Sequence, residues 1–284
     1  MKIGQVWPSI HSPSRLDKAL LKLRLIPGRC NICGSFTIFI IRNDMFREGV
    51  SCSLCASVNR QRQMTAVLLS QVLVTRNRIP WLASINNIPK SIVVWNAETT
   101  RVLHKKLKIH LGENYISSEY LSPDLQSGAV VDETLHVDIQ ATHFPDNSID
   151  YILTSDVLEH VPFPQKAMQE TYRILKPGGC HIFTVPFYKH RFSNEIRATV
   201  NTQGELEHLQ RPWYHEDPMS DEGVLVYTVF APELLCQLEA CGFDAKLQIL
   251  RSPVHGMLGT NGFVIVAKKF PEPAFNRDWI FGSD

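Results

Sequence analysis

The sequence predicts an α/β protein: a parallel sheet flanked by helices, preceded by a small cysteine-rich module that reads as a zinc ribbon. Three observations carry this expectation. From Ser91 onward, strand-like and helix-like segments alternate, as they do in a parallel sheet with helices on both faces. Four of the seven cysteines fall as two Cys-x-x-Cys pairs, Cys30/Cys33 and Cys52/Cys55. The run from Asp138 to Pro186 places acidic and polar groups where strands end, the edge at which an open parallel sheet takes its ligands.

The chain of 284 residues has room for one domain of ordinary size and a smaller module. No apolar run approaches the roughly 20 residues needed to span a bilayer. Pro8, Ser9, His11 and Pro13 interrupt any signal-like pattern at the amino end, so a cytoplasmic location is the default expectation. The net charge of +1 conceals an asymmetry: residues 1–110 hold 17 Lys and Arg against 4 Asp and Glu, and residues 111–284 hold 12 against 24. Two readings stay open. The basic half contacts an anion, nucleic acid or acidic partner, or it docks on the acidic half of its own chain.

In chain order, Ser12-Pro13-Ser14 opens a helix whose Leu16, Ala19, Leu20 and Leu23 share one face, with Pro27-Gly28 as its stop. Residues 1–28 are read as this helix and residues 29–60 as the ribbon. Zinc favours four thiolates in a tetrahedron, and each Cys-x-x-Cys turn supplies two of them. The 18 residues between the pairs fall in the range of such sites, and SFTIFIIRNDMFREGVS reads as two short strands around a turn. Disulfides are disfavoured without a secretory context, and two matched pairs argue against a redox pair. Four thiolates leave no open coordination position, so the expected zinc is structural. Cys180, Cys236 and Cys241 sit in apolar contexts and read as buried small residues.

Residues 61–90 read as a connecting helix and linker. The helix, from Asn59 to about Val74, has Met64, Val67, Leu68 and Val72 as its apolar face, with Gln71 breaking the spacing and Pro80 and Pro89 in the linker beyond. The larger domain occupies residues 91–284. Its expected strands are 92–96, 115–119, 134–138, 149–155, 180–186, 243–250 and 262–268, and its helices lie near 100–109, 164–176 and 231–241. An irregular insertion at about 188–230 interrupts the alternation, and insertions of this size inside a compact domain are usually functional.

FPDNSIDYI, the TSDVLEHV that follows and YRILKPGG before an apolar strand resemble the second half of a class I S-adenosylmethionine-dependent methyltransferase. The closing pair of strands, joined by SPVHGMLGTNG, resembles the terminal hairpin of that Rossmann-like fold. The resemblance implies S-adenosylmethionine as cofactor, lying across the carboxyl ends of the first four strands of the larger domain. It puts Glu119 at the ribose, since a carboxylate accepts two hydroxyl hydrogen bonds at once. It puts Asp138 and the Ile139 amide at the adenine, and Ser155 and Asp156 beside the methionine moiety. His160 opens the next segment with Glu159, and an imidazole there suits a base acting on a substrate hydroxyl.

The first-strand turn departs from the family. Class I methyltransferases place glycines there so that bare backbone approaches the donor, whereas IVVWNAETT holds none. Either Asn96 and Glu98 help to hold the donor, or the site is weak or does not bind it.

In the insertion, Lys189, His190, Arg191 and Arg197 follow the fifth strand of the larger domain, and Trp213, Tyr214, His215, Glu216 and Asp217 supply rings and polar groups suited to a sugar or small-molecule acceptor. YHEDP before GVLVYTVF, together with the paired cysteines, resembles bacterial methyltransferase-like proteins with an N-terminal zinc ribbon. His215 and Asp217 join His160 as candidate bases. No further carboxylate–histidine metal motif stands out, so catalytic magnesium is not expected. Three functions stay in view: methyl transfer to a small-molecule or glycan hydroxyl, methylation of RNA gripped by the basic half, and a binding protein that kept the fold and lost the donor. The nucleic-acid partner is the less favoured, and no membrane partner is expected.

Overall fold

The structure, a computed structural model, describes residues 15–73, 82–217, 220–259 and 262–270. The expected helix start at Ser12–Ser14 and the linker residue Pro80 lie outside these. Helix α1 (Arg15–Leu23) leads into β1 (Leu25–Arg29), which pairs antiparallel with β2 (Phe36–Ile41), itself paired with β3 (Val50–Cys52). A single-turn helix α2 (Phe46–Gly49) fills the β2–β3 connection. Pro27 and Gly28 are therefore not a helix stop but part of a strand. The helix has already ended at Leu23, with Arg24 in the left-handed region at φ 60°. Gly28 is needed there because a Cβ would stand 2.1 Å from the Val254 carbonyl oxygen and 2.8 Å from the Phe39 ring.

After α3 (Asn59–Val72) comes the main sheet, whose members in chain order are β4 (Val94–Asn96), β5 (Tyr115–Glu119), β6 (Val130–Val131), β7 (Thr134–His136), β8 (Ile149–Ser155) and β9 (Leu175–Thr184). Helices α4 (Val102–Leu111) and α5 (Pro164–Ile174) follow β4 and β8. The insertion then contributes β10 (Glu195–Ile196), β11 (Ala198–Val200), β12 (Leu206–His208), β13 (Tyr214–Asp217), β14 (Ser220–Leu225) and β15 (Thr228–Val229) as three antiparallel pairs: β10 with β15, β11 with β12, and β13 with β14. The chain closes with α6 (Glu233–Ala240), β16 (Phe243–Ile249) and β17 (Phe263–Lys269).

The eight-stranded sheet runs β16-β17-β9-β8-β4-β5-β7-β6. Strands β7, β5, β4, β8 and β9 are parallel, while β6, β16 and β17 are antiparallel to their neighbours. From β4 the chain moves outward through β5 and β7, then returns to β8 on the other side. The switch point, where a doubly wound sheet opens a crevice, thus lies at the carboxyl ends of β4 and β8.

The expected strands of this sheet are present, 115–119 and 149–155 with the expected bounds and the others shifted. The largest shift is at KPGG, expected as a turn before a strand starting at 180. Strand β9 instead begins at Leu175, opposite Ile149, and the register slips so that Tyr151 faces Cys180. The loop is a bulge within the strand. Gly178 has φ +85°, and a Cβ on Gly179 would lie 2.7 Å from the Asp150 carbonyl oxygen.

Two apolar layers cover the sheet. On one face, Met64, Val67 and Leu68 of α3 and Leu103 and Leu107 of α4 join Ile26, Phe39 and Val50 of the cysteine-rich module. On the other, Met168 and Ile174 of α5 and Leu234 and Leu238 of α6 pack with Trp95 and Phe183. Helix α3 is buried from Asn59 to Leu69, polar residues included. It lies between the module and strands β9 and β17, so it has no solvent face to match the single apolar stripe expected. Of the three remaining cysteines, Cys180 is buried, but Cys236 is exposed and Cys241 half-buried. Cys236 lies on the outer side of α6, whereas Cys241, just past its end, still packs against the edge of the core.

Candidate active site and metal centre

The cysteine centre is built from two matching turns. The Gly34 N–H donates to the Cys30 carbonyl and the Ala56 N–H to the Cys52 carbonyl, at 2.8 and 2.9 Å. The Cys30 N–H donates to Ser35 O and the Cys52 N–H to Ser57 O, both at 3.0 Å. Gly34 and Ala56 both take left-handed backbone, at φ 75° and 61°. The four Sγ atoms lie within 4.8 Å of one another, and Cys30 and Cys55 stand 3.8 Å apart. Thiolates about 2.3 Å from a tetrahedral zinc stand about 3.8 Å from each other, far beyond a disulfide bond of about 2.05 Å. Below them Arg62 is buried, donating to the carbonyls of Val50, Ser57, His255 and Gly256. Burial pulls its pKa down to about 10 against the thiols, whose negative charge raises it. The residues fit a structural zinc ion that keeps no open position.

At the end of β4, buried Asn96 donates through Nδ2 to the Tyr115 hydroxyl at 2.8 Å, and its Oδ1 has no hydrogen-bond partner. Glu98 Oε1 is likewise buried without a hydrogen-bond partner, and burial raises the Glu98 pKa. Glu119 reaches from β5 into the glycine-free turn, where one oxygen accepts from both the N–H and the hydroxyl of Thr99, each at 2.7 Å. Asp138 accepts from the Gln140 N–H at 2.8 Å, closing a turn after β7, and Ile139 is buried beside it.

Ser155 and Asp156 stand at the end of β8, where the cysteine-rich module meets the sheet. Arg47 of α2 grips Asp156 with two hydrogen bonds, at 2.7 and 2.5 Å. Arg60 of α3 bonds to Ser155, stands 3.3 Å from Asp156 and donates to Glu48 at 2.6 Å. Burial alone would raise the Asp156 pKa, but Arg47 and Arg60 hold it well below the usual carboxylate range. Thr184, at the end of β9, donates to the same carboxylate at 3.2 Å.

His160 and His215, 55 residues apart in sequence, converge: His160 Nε2 and His215 Nδ1 are 3.3 Å apart. His160 sits on a single helical turn, Leu158–His160, after β8, and His215 on β13. The hairpin is tied down by the Tyr227 N–H donating to Glu159 O at 2.7 Å and by His160 Nδ1 bonding the Leu225 carbonyl at 2.8 Å. Burial and the neighbouring His160 pull the His215 pKa down to about 4. Glu159, fully buried below the pair, has its pKa pushed well up by burial and by the nearby Asp156 charge. Asp217 ends β13, and its side chain lies outside the described residues.

Three groups at this edge escaped the expected site: Arg47, Arg60 and Glu159. The basic excess of the first 110 residues pointed toward the arginines but not toward Asp156. Glu159 adjoins His160 in the sequence, yet only the fold brings His215 to it. Of the insertion's basic residues, Arg191 and Arg197 both pair with Glu195, and Arg197 also lies over the Trp213 ring.

Acidic and basic groups thus gather over the switch point of a doubly wound sheet, the edge at which such sheets take their ligands. Residues 107–183, from within α4 to β9, match the family model described as a methyltransferase domain. Demethylmenaquinone methyltransferase of Listeria welshimeri is 43% identical over 47 residues, 16% of this chain and 20% of that protein. Phosphoethanolamine N-methyltransferase 2 of Caenorhabditis elegans is 40% identical over 42 residues, 15% of this chain and 10% of that protein. The chain thus spans a fifth or less of the length of these curated relatives. Among solved structures, the 1,6-didemethyltoxoflavin-N1-methyltransferase of Burkholderia thailandensis, with 1,6-didemethyltoxoflavin and S-adenosylhomocysteine bound, gives a TM-score of 0.43 at 16% identity, covering 74% of this chain and 78% of that one. An S-adenosylmethionine-dependent methyltransferase of Mesorhizobium loti gives 0.36 at 13% identity, covering 63% and 92%. Among the described residues, no helix is long and apolar enough to cross a membrane.

Proposed function

We propose that the protein is an S-adenosylmethionine-dependent methyltransferase acting on a hydroxyl of a small molecule or sugar, with zinc held by Cys30, Cys33, Cys52 and Cys55 as a structural element. One observation supports the donor reading: at the switch point the buried Asn96 Oδ1 has no hydrogen-bond partner, and Glu98 Oε1 has none beyond an ion pair with Arg101 at 3.7 Å. A buried acceptor left unsatisfied is costly, and an ammonium group such as the donor's is of the kind that would satisfy it. In this reading Glu119 takes the ribose, Asp138 and Ile139 the adenine, and Ser155 and Asp156 border the methionine end, where Arg47 and Arg60 already hold Asp156.

When bound, S-adenosylmethionine supplies a methyl group on a cationic sulfur. The chain's own task is to position the acceptor in line and see to its proton. The paired imidazoles of His160 and His215 mark where the acceptor hydroxyl is handled, and Trp213 and Tyr214 offer ring faces to a sugar or small molecule.

The charge asymmetry does not favour the RNA-directed alternative. Arg47, Arg60 and Arg101 are engaged by Asp156, Glu48 and Glu98, and Arg62 is buried among carbonyls. Isothermal titration of the full chain with S-adenosylmethionine and S-adenosylhomocysteine is the test. Binding of both in the micromolar range is expected. Silence at millimolar ligand would overturn the enzyme reading and leave a binding protein that kept the fold.

A further inference from the structure

We infer that Glu159, His160 and His215 form a second metal site, one that takes a divalent transition-metal ion of the zinc or manganese class through two imidazoles and one carboxylate. Their ligand atoms converge on a single point: His160 Nε2 and His215 Nδ1 are 3.3 Å apart, and Glu159 Oε1 stands 3.8 Å from each. Three ligands about 2.1 Å from a tetrahedral ion stand about 3.4 Å apart, the tetrahedral edge being about 1.63 times the bond. The observed triangle therefore closes on an ion with shifts of a few tenths of an ångström.

His160 has its second-shell partner in place. A carbonyl oxygen only accepts, so the Leu225 carbonyl at 2.8 Å requires the proton of neutral His160 on Nδ1. That leaves the Nε2 lone pair facing the cluster, as it must to bind a metal. The carboxylate is the independent sign. Glu159 is fully buried and neither of its oxygens has a hydrogen-bond partner, a costly unsatisfied group that a metal ion would satisfy. The set differs in kind from the cysteine centre: imidazole and carboxylate donors suit zinc, manganese or iron, and three protein ligands leave a position for a further oxygen.

Glu159 and His160 lie on the turn just past the carboxyl end of β8, close in sequence to the residues assigned to the donor's methionine end. A fourth position there would suit the acceptor's hydroxyl oxygen, with His160 and His215 acting as ligands rather than bases. This role rests on the methyl-transfer reading; the metal site itself does not.

The test is Mn²⁺ titration of the full chain after its cysteine centre has been loaded with zinc, counting bound ions from the loss of the free Mn²⁺ electron paramagnetic resonance signal. One Mn²⁺ per chain is expected. Glu159→Gln and His215→Ala should each weaken it by about tenfold or more, while both variants keep the wild-type circular dichroism. No uptake by the wild type, of Mn²⁺ or of a further equivalent of zinc, overturns the site; so does uptake unchanged in both variants. Should either variant fail to fold, Co²⁺ added to the zinc-loaded wild type decides: d–d bands without thiolate charge transfer support the site, and their absence overturns it. Metal uptake without donor binding would sink the methyl-transfer reading alone, and donor binding without metal uptake would sink the metal site alone.

Discussion

Arg47, on a single-turn helix of the cysteine-rich module, holds Asp156, at the carboxyl end of β8, through two hydrogen bonds of 2.7 and 2.5 Å. The pair spans 109 residues of sequence and fastens the module to the switch point of the sheet. Arg60 reaches the same carboxylate from α3. The module is thus fastened to the candidate site, with Arg47 from the module and Arg60 from α3 converging on Asp156.

Breaking this pair should be costly. Asp156 is about one-fifth exposed, so Arg47→Met is expected to destabilise by about 2 kcal/mol, less than the 3–5 kcal/mol of a fully buried pair. The sign of the pH dependence follows from a carboxylate whose folded pKa is depressed. Its stabilisation is present above the unfolded value of about 3.9 and is lost as pH falls toward the folded one. Urea unfolding at pH 7 and pH 3 should show the gap between wild type and variant narrowing in acid. An equal gap at both would refute the argument.

Cys52→Ser should release zinc and destabilise the module, because a tetrahedral site left with three thiolates loses the closure that makes it structural. Zinc content measured by atomic emission should fall by about one equivalent, with a lower thermal midpoint. Unchanged content would refute the cysteine centre as a zinc site.

Much of this was legible locally. The cysteine pairs could be read because both turns lie within four residues, and the β4 to β9 alternation because each strand carries its own apolar run. Asp138 with Gln140 two residues on is a turn written in the sequence. Contacts made across the fold were not legible. Nothing in IRATV or RPWYHEDP shows that His215 returns to His160. Nor does FREG announce that Arg47 will meet Asp156, since the β2–β3 connection has no periodicity to orient it. Helix α3 misled for a related reason: its polar residues are buried by two partners, so one apolar stripe understates what it contacts.

Glu119 offers a test of the donor assignment. One of its oxygens already accepts from both the N–H and the hydroxyl of Thr99, which orients the carboxylate and leaves its other oxygen for a ribose hydroxyl. Glu119→Ala should weaken S-adenosylhomocysteine binding by about tenfold, in line with about 1.5–3 kcal/mol for a hydrogen bond to a charged group. Thr99→Val should weaken it less. Calorimetric affinities in the reverse order would place the ribose elsewhere.

His181 should give the fold a distinct sensitivity to mild acid. It lies on β9, 1% exposed, with Nε2 2.9 Å from the Thr154 hydroxyl of β8, and Nδ1 has no hydrogen-bond partner. Burial pulls its pKa down to about 3. The unfolded chain takes up a proton on this ring near pH 6.5, and the folded chain does not until far lower. Stability must therefore fall as pH drops below about 6.5, by about 1.4 kcal/mol per pH unit, or roughly 2–3 kcal/mol by pH 4.5. His181→Gln keeps a partner for Thr154 and removes the titration. It should be less stable than wild type at pH 7, through imperfect packing, yet lose less between pH 7 and 4.5. Asp156 does not enter this window, because its contribution fades only below about pH 4. His215, whose pKa is also depressed, is present in both proteins, so its contribution cancels in the comparison. Urea midpoints at pH 7, 5.5 and 4.5 decide the matter: parallel declines in the two proteins would mean that the buried ring is protonated without breaking the sheet.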